Sequence, residues 1–278
     1  MAPLRYSLIE FFREHTACLA AYSVDCRIDA AKGSVHRLRV TLKNLKGLMV
    51  LLYDLDPDNK GKPGLPPHLR ELFIVTGRLR DMQVLEAELL VQETGSRVKF
   101  PGIRSLLLGE KRCCQDRIEK VLGDLSCPSE SEAISQYLYR VISHYSTDGE
   151  IEERISKYMQ RTWKKILALF TRPHTVENLH RIRIRIRNLN SALAVIGPDS
   201  RIHQALPFAP KDLRVFQQLL GKWHDVAVFR EKVREYSEHI RGRDPRAGNL
   251  EILMQGLTLK QRNMKRRIQR FMKRLTGD

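Results

Sequence analysis

The chain repeats itself, and this constrains its fold more than any other feature. Val35-His36-Arg37-Leu38-Arg39-Val40-Thr41-Leu42-Lys43-Asn44-Leu45 aligns with Leu179-His180-Arg181-Ile182-Arg183-Ile184-Arg185-Ile186-Arg187-Asn188-Leu189 at a shift of 144. A second block, Gly77-Arg78-Leu79-Arg80-Asp81-Met82-Gln83-Val84, aligns with Gly221-Lys222-Trp223-His224-Asp225-Val226-Ala227-Val228 at the same shift. Arg70 and Arg214 match in the same register. Two separated blocks in one register indicate a duplication, with about four helices per half. A boundary near 146–150 follows: repeat one spans 1–146 and repeat two 147–278, together one domain of 278 residues.

The period within each half is helical. Apolar residues recur at spacings of three and four nearly throughout, and strand-like alternation is sparse. The pattern predicts an all-α chain with helices near 4–22, 30–54, 68–93, 103–123, 130–170 (broken near Asp148-Gly149), 175–196, 210–240 and 248–275. Breakers agree with it: Asp56-Pro57 and the Gly61–Pro67 stretch, Pro101-Gly102, Pro173, and Gly197-Pro198.

With 42% apolar residues the chain can bury a real core without a covalent staple. Its 49 Lys and Arg outnumber 32 Asp and Glu, for a net charge of +17, which points to an anionic partner without saying which. The five cysteines are odd in number and form no CxxC, as expected of reduced thiols in a cytoplasmic protein. The first residues lack a signal-peptide pattern, and the longest apolar run, Leu48 to Tyr53, is too short to cross a bilayer.

The chemistry lies in the repeated blocks. A helix turns about 100° per residue. His36, Arg39, Lys43 and Lys46 therefore share a stripe beside the apolar stripe of Leu38, Leu42, Leu45 and Met49. His180, Arg183 and Arg187 form the same stripe in the second half, beside Ile182, Ile186, Leu189 and Leu193. At about 1.5 Å rise per residue the first stripe covers roughly 15 Å, a length suited to a linear anion with several phosphates. Cations bordering a core repel one another and resist desolvation. A bridging anion removes both penalties, and Arg adds paired hydrogen bonds to phosphate oxygens. Arg37, Arg181 and Arg185 fall on another sector and read as a solvated face. A bound anion would favour the charged form of His36 and His180.

Asp81 and Asp225 follow Arg80 and His224 in the second block and are expected to orient a cation on a neighbouring helix. His36, His180, His224, Asp81 and Asp225 do not read as a metal site, because adjoining Arg and Lys repel a cation and no ligand spacing supports one. Gly77 and Gly221 are expected where two helices pass closely. The last helix is the most basic, with Lys260, Arg262, Lys265, Arg266, Arg267, Arg270, Lys273 and Arg274 beside the apolar Met264, Ile268, Phe271 and Leu275. Some of these cations are expected to face the anion. No Walker motif, GxSxG, RHG or tasked carboxylate pair is present, so neither enzymatic activity nor a cofactor is expected.

The pattern H-x-x-R-[VI]-x-x-[KR]-x-x-[KR], repeated once, with G-x-x-[RH]-D-x-x-V about forty residues after each copy, resembles the CHAD family (conserved histidine α-helical domain) over roughly residues 5–275. The resemblance implies two four-helix bundles related by a pseudo-twofold axis around a basic central cavity that binds inorganic polyphosphate. It implies His36, Arg39, Lys43, Lys46, His180, Arg183, Arg187, Arg80 and His224 as polyphosphate contacts, with Asp81 and Asp225 behind them. It also implies a cytoplasmic protein associated with polyphosphate granules. Two positions depart from the pattern. Asn190 stands where the counterpart of Lys46 should be basic, which weakens one corner of the site, and Thr76 precedes Gly77 where an apolar residue is usual. The alternatives are a nucleic-acid-binding helical module, suggested by charge alone and lacking a stacking platform, and a polyphosphate or phosphate-ester hydrolase with no motif behind it.

Overall fold

The computed structural model describes residues 3–28, 32–58, 64–196, 202, 206–240 and 247–276. Among them there are nine α-helices and no strand: α1 (Leu4–Ile28), α2 (Lys32–Leu55), α3 (Pro67–Ser96), α4 (Pro101–Asp124), α5 (Cys127–Ser143), α6 (Asp148–Phe170), α7 (Val176–Ile196), α8 (Pro210–Ile240) and α9 (Ala247–Thr276). The Gly197-Pro198 breaker and the start of the Gly61–Pro67 stretch lie outside the described residues, as does the expected helix start at residue 30.

Local chemistry accounts for the helix ends. Pro67, Pro101 and Pro210 each begin a helix, where the missing N–H costs nothing and the fixed φ is already helical. The segment expected over 130–170 with a break near Asp148-Gly149 is two helices, α5 and α6, as that break requires. Thr147 caps α6: its hydroxyl accepts from the Glu150 backbone N–H, and the Glu150 carboxylate accepts from the Thr147 N–H in return. This reciprocal pair was present in the sequence as T-x-x-E and places the break just before Asp148, which is the first residue of α6. α1 runs to Ile28, six residues beyond the expected end, because Ser23 and Cys26 continue its buried face. α3 ends ahead of Arg97, which takes a left-handed φ of 58°.

The chain forms two compact units. The first comprises Met1–Gly77 and Asp116–Arg214; the second comprises Arg78–Gln115 and Val215–Asp278. In the first unit α1 packs on α2, α6 packs on α7, and α2 meets α7. Leu38, Leu42, Leu45, Ile182, Ile186 and Leu189 are fully buried there, as their periodicity requires. α2 and α7 approach so closely at Gly47 that a Cβ added to it would lie 2.3 Å from Ser191 Cβ; no side chain fits between them. Polar groups tie down the end of α2. The fully buried Asp56 accepts from Arg140 at 2.7 Å and from the Tyr137 hydroxyl at 3.2 Å, and Asp54 accepts from Arg161 at 2.7 Å.

The second unit has its own core. Met82, Leu85 and Leu89 of α3 pack with Ile103 and Leu107 of α4, Val226, Phe229 and Val233 of α8, and Leu250, Leu253 and Leu257 of α9. Phe216 and Phe271 stack at 5.5 Å in the same unit. Burying side chains of this size stabilises the fold by about 1.5–3 kcal/mol each before chain entropy is subtracted.

Candidate anion-binding site

The cations of α2 and α7 in the first unit form one electrostatic group. Arg39, Lys43, Lys46, Arg183 and Arg187 are all half-buried, since each sits one helical step from a fully buried leucine or isoleucine. Burial pulls the Lys43 ammonium below its ordinary pKa, and Arg187, Arg183 and Arg39 pull it further. Lys46 is lowered by burial and then by Arg187, Arg39 and Arg70. Arg187 is lowered to about 10 by burial, Arg183 and Arg39, and it keeps its charge at neutral pH. His180 is also lowered, by burial, Arg183 and Arg187. The two stripes thus act on each other across the α2–α7 contact.

No carboxylate among the described residues lies within 4.0 Å of Lys43, Lys46 or Arg187. The rest of the surface behaves differently. Arg37 meets Asp25 at 3.2 Å, Arg181 meets Glu177 at 2.5 Å, and Arg161 meets Asp54 at 2.7 Å. These acidic residues of the first unit are thus engaged by cations away from Lys43, Lys46 and Arg187. A group of half-buried cations left to repel one another destabilises the fold unless an anion neutralises it.

Phe73 of α3, which sequence reasoning missed, organises the first stripe. The Arg39 guanidinium lies 5.1 Å and the Lys46 ammonium 4.6 Å from the Phe73 ring centroid. Arg39 also donates to the Phe73 carbonyl at 3.0 Å. The ring's negative face attracts both cationic heads. Gly77, one turn later, completes the seat, because a Cβ there would lie 2.5 Å from Arg39 Nη1. The expectation that Gly77 marks a close passage of two helices is corrected: what it admits is a guanidinium. A Cβ on Gly221 would meet nothing within 4 Å among the described residues, so the expected close passage is not found there either. A Phe one turn before a Gly, facing a basic stripe, was the available signal.

The remaining expected residues are placed as follows. His36 is exposed on the first turns of α2. Asn190 donates to the Leu213 carbonyl at 3.2 Å, the packing role that replaces a cation. Arg80, Asp81, His224 and Asp225 belong to the second unit. There Arg80 reaches Gln83 Oε1 at 3.5 Å, and Asp81 is exposed. On α9, Lys260 pairs with Glu88 at 2.6 Å, while Arg262, Arg266, Arg267 and Arg270 are exposed. Among the described residues no three His, Cys, Asp or Glu side chains are grouped to hold a metal ion, and no helix is long and apolar enough to cross a membrane.

Three comparisons bear on this arrangement. The sequence profile of the CHAD domain matches residues 10–234. The crystal structure of the CHAD domain from the plant Ricinus communis is similar in fold, with a TM-score of 0.69 over 100% of this chain and 93% of that one, at 16% sequence identity. No curated protein matches the sequence. The helical repeat, the basic stripes beside the core and a profile match over most of the chain converge on one assignment: the chain belongs to the CHAD family.

Proposed function

We propose that the protein binds inorganic polyphosphate, without turning it over, along the facing basic stripes of α2 and α7. The observation that carries this is the set of Lys43, Lys46 and Arg187, half-buried, repelled by the neighbouring cations and with no carboxylate within 4.0 Å among the described residues. A linear chain of phosphates neutralises them in sequence, and each Arg offers two parallel hydrogen bonds. The affinity is multivalent and falls with salt as counterions are released from the polyanion.

The same reading takes α1 to α4 and α6 to α9 as two copies of one bundle about a pseudo-twofold axis, with α5 joining them and the cations turned toward a basic central cavity. Support comes from the helix starts: Leu4 and Asp148, and Lys32 and Val176, differ by the shift of 144 that relates the sequence blocks. Gly47 and Ser191 are equivalents at that shift and touch each other, as self-contact across a twofold axis requires. A cytoplasmic location, on or near polyphosphate granules, follows from the ligand.

The test is displacement of labelled long-chain polyphosphate by polyphosphate, RNA and duplex DNA at fixed salt and pH, with free phosphate measured in parallel. Polyphosphate should compete best and no phosphate should be released. Tighter binding of RNA or DNA would replace this reading with a nucleic-acid module, and steady phosphate release would replace it with a hydrolase.

A further inference from the structure

The opposite face of α7 carries a second basic feature. Arg181 and Arg185 lie about 200° around the helix from Arg183 and Arg187. Arg181 fits the solvated-face reading, exposed and paired with Glu177. Arg185 does not. It is half-buried, and its Nε is buried with no acceptor among the described residues. It lines a groove of about 550 Å³ between α6 and α7, where Lys165, Arg172 and Arg181 are the other charged residues. No carboxylate lines this groove, and Lys165, Arg172 and Arg185 have none within 4.0 Å among the described residues. In the smaller cavity next to it, which Arg185 and Lys165 also line, Asp54 is engaged by Arg161 at 2.7 Å.

The other walls are Ala168 and Leu169 of α6 and Ile184 of α7, with Asn188 at one side. This is a different shape of site from the stripes. The cations converge on one pocket instead of following a line, and its size falls in the range of small-molecule sites. Half of its lining offers contact to an uncharged body, which a bare phosphate chain does not have. Arg185 supplies a fixed fork for a phosphate, and Asn188 supplies both a donor and an acceptor.

We propose that the α6–α7 groove is a second anion site, independent of the α2–α7 stripes, that takes a small organic di- or triphosphate of the nucleotide class. Phosphates meet Arg185, Arg172 and Lys165, and the organic body lies on Ala168, Leu169 and Ile184.

Two double variants separate this site from the stripes: Arg172→Gln/Arg185→Gln and Lys43→Gln/Arg187→Gln. Each is titrated calorimetrically with ATP in the absence of divalent metal, and with long-chain polyphosphate. ATP affinity should fall at least about tenfold in the groove variant and by less than about threefold in the stripe variant. Polyphosphate should show the reverse. Failure of the polyphosphate arm alone would count against the stripes and leave the groove standing. Ala168→Glu, at an exposed helical position, serves if the groove variant loses helical content, and should weaken ATP by a similar factor. Inorganic tripolyphosphate, lacking the organic body, should bind the groove several-fold more weakly than ATP. ATP that fails to bind wild type, or whose affinity is unchanged by both groove substitutions, or is lost only in the stripe variant, overturns the proposal.

Discussion

The two copies of the basic motif are built differently. In the first, Arg39 and Lys46 flank the Phe73 ring, and Gly77 leaves room for the Arg39 head. At the equivalent positions of the second copy stand Gln217 for Phe73, Asn190 for Lys46, and a Gly221 with open space around it. The second copy instead contributes Arg187, half-buried and lowered to about 10 by burial and its neighbours, and the histidine whose proton affinity is lowered. One copy holds its charges in place with an aromatic face; the other raises the local potential. A duplicated motif can keep its helical stripe while dividing preorganisation and field strength between its halves.

The largest effect should come from breaking the field common to both copies. Lys43→Leu/Arg187→Leu removes one half-buried cation from each. Polyphosphate affinity should drop by roughly a hundredfold or more, at about 1.5–3 kcal/mol per charged hydrogen bond. The melting temperature without ligand should rise, because repulsion and desolvation of charge are relieved. Arg37→Ala and Arg181→Ala, at exposed ion pairs, should change affinity only a few-fold. Equal losses across both sets, by titration at one salt concentration, would show general basicity instead of a site.

The aromatic platform comes next. Phe73→Ala should weaken polyphosphate about tenfold, from two cation–π contacts of about 0.5–1 kcal/mol each. Gln217→Ala should stay within about twofold. A comparable loss at Gln217 would erase the contrast between the copies.

The glycines sharpen the contrast at lower cost to binding. Gly77→Ala should displace the Arg39 head and weaken binding several-fold with helical content intact. Gly221→Ala should leave binding unchanged and stabilise the fold by about 0.5–1 kcal/mol, read from denaturant midpoints.

The smallest effect concerns pH. His180 has its folded pKa below its unfolded value, so the unfolded chain takes up a proton that the fold withholds. Its contribution favours the fold above about pH 6.5 and is lost as pH falls from there through the lowered folded value. A bound anion favours the protonated ring, so affinity should rise a few-fold over the same descent. His180→Gln should flatten both profiles, in thermal melts and in titrations.

Much of this was legible in the sequence. Leu38, Leu42, Leu45, Ile182, Ile186 and Leu189 announce their helices and bury as expected, and the same period puts Arg39, Lys43, Arg183 and Arg187 beside them. Phe73 escaped because its role depends on a contact between helices distant in sequence, which periodicity within one helix does not encode. Arg185 escaped for a related reason. Its sector of α7 looks solvated until α6 is laid alongside and buries its Nε. The α5–α6 break was legible near Asp148-Gly149, and the local capping pair of Thr147 and Glu150 is what fixes it.

The contact of Gly47 with Ser191 bears on how such a chain arises. Under the duplication proposed above, an ancestral subunit meeting a copy of itself would present the same residue from both sides. Two serines would not fit where a single added Cβ already falls 2.3 Å from Ser191 Cβ, and two glycines would leave the contact without a side chain. The Gly–Ser pair requires two positions free to mutate separately, which gene fusion supplies and a symmetric dimer does not. Substitutions at this contact are therefore a record of descent: relatives in which one member of the pair has grown should show the other reduced.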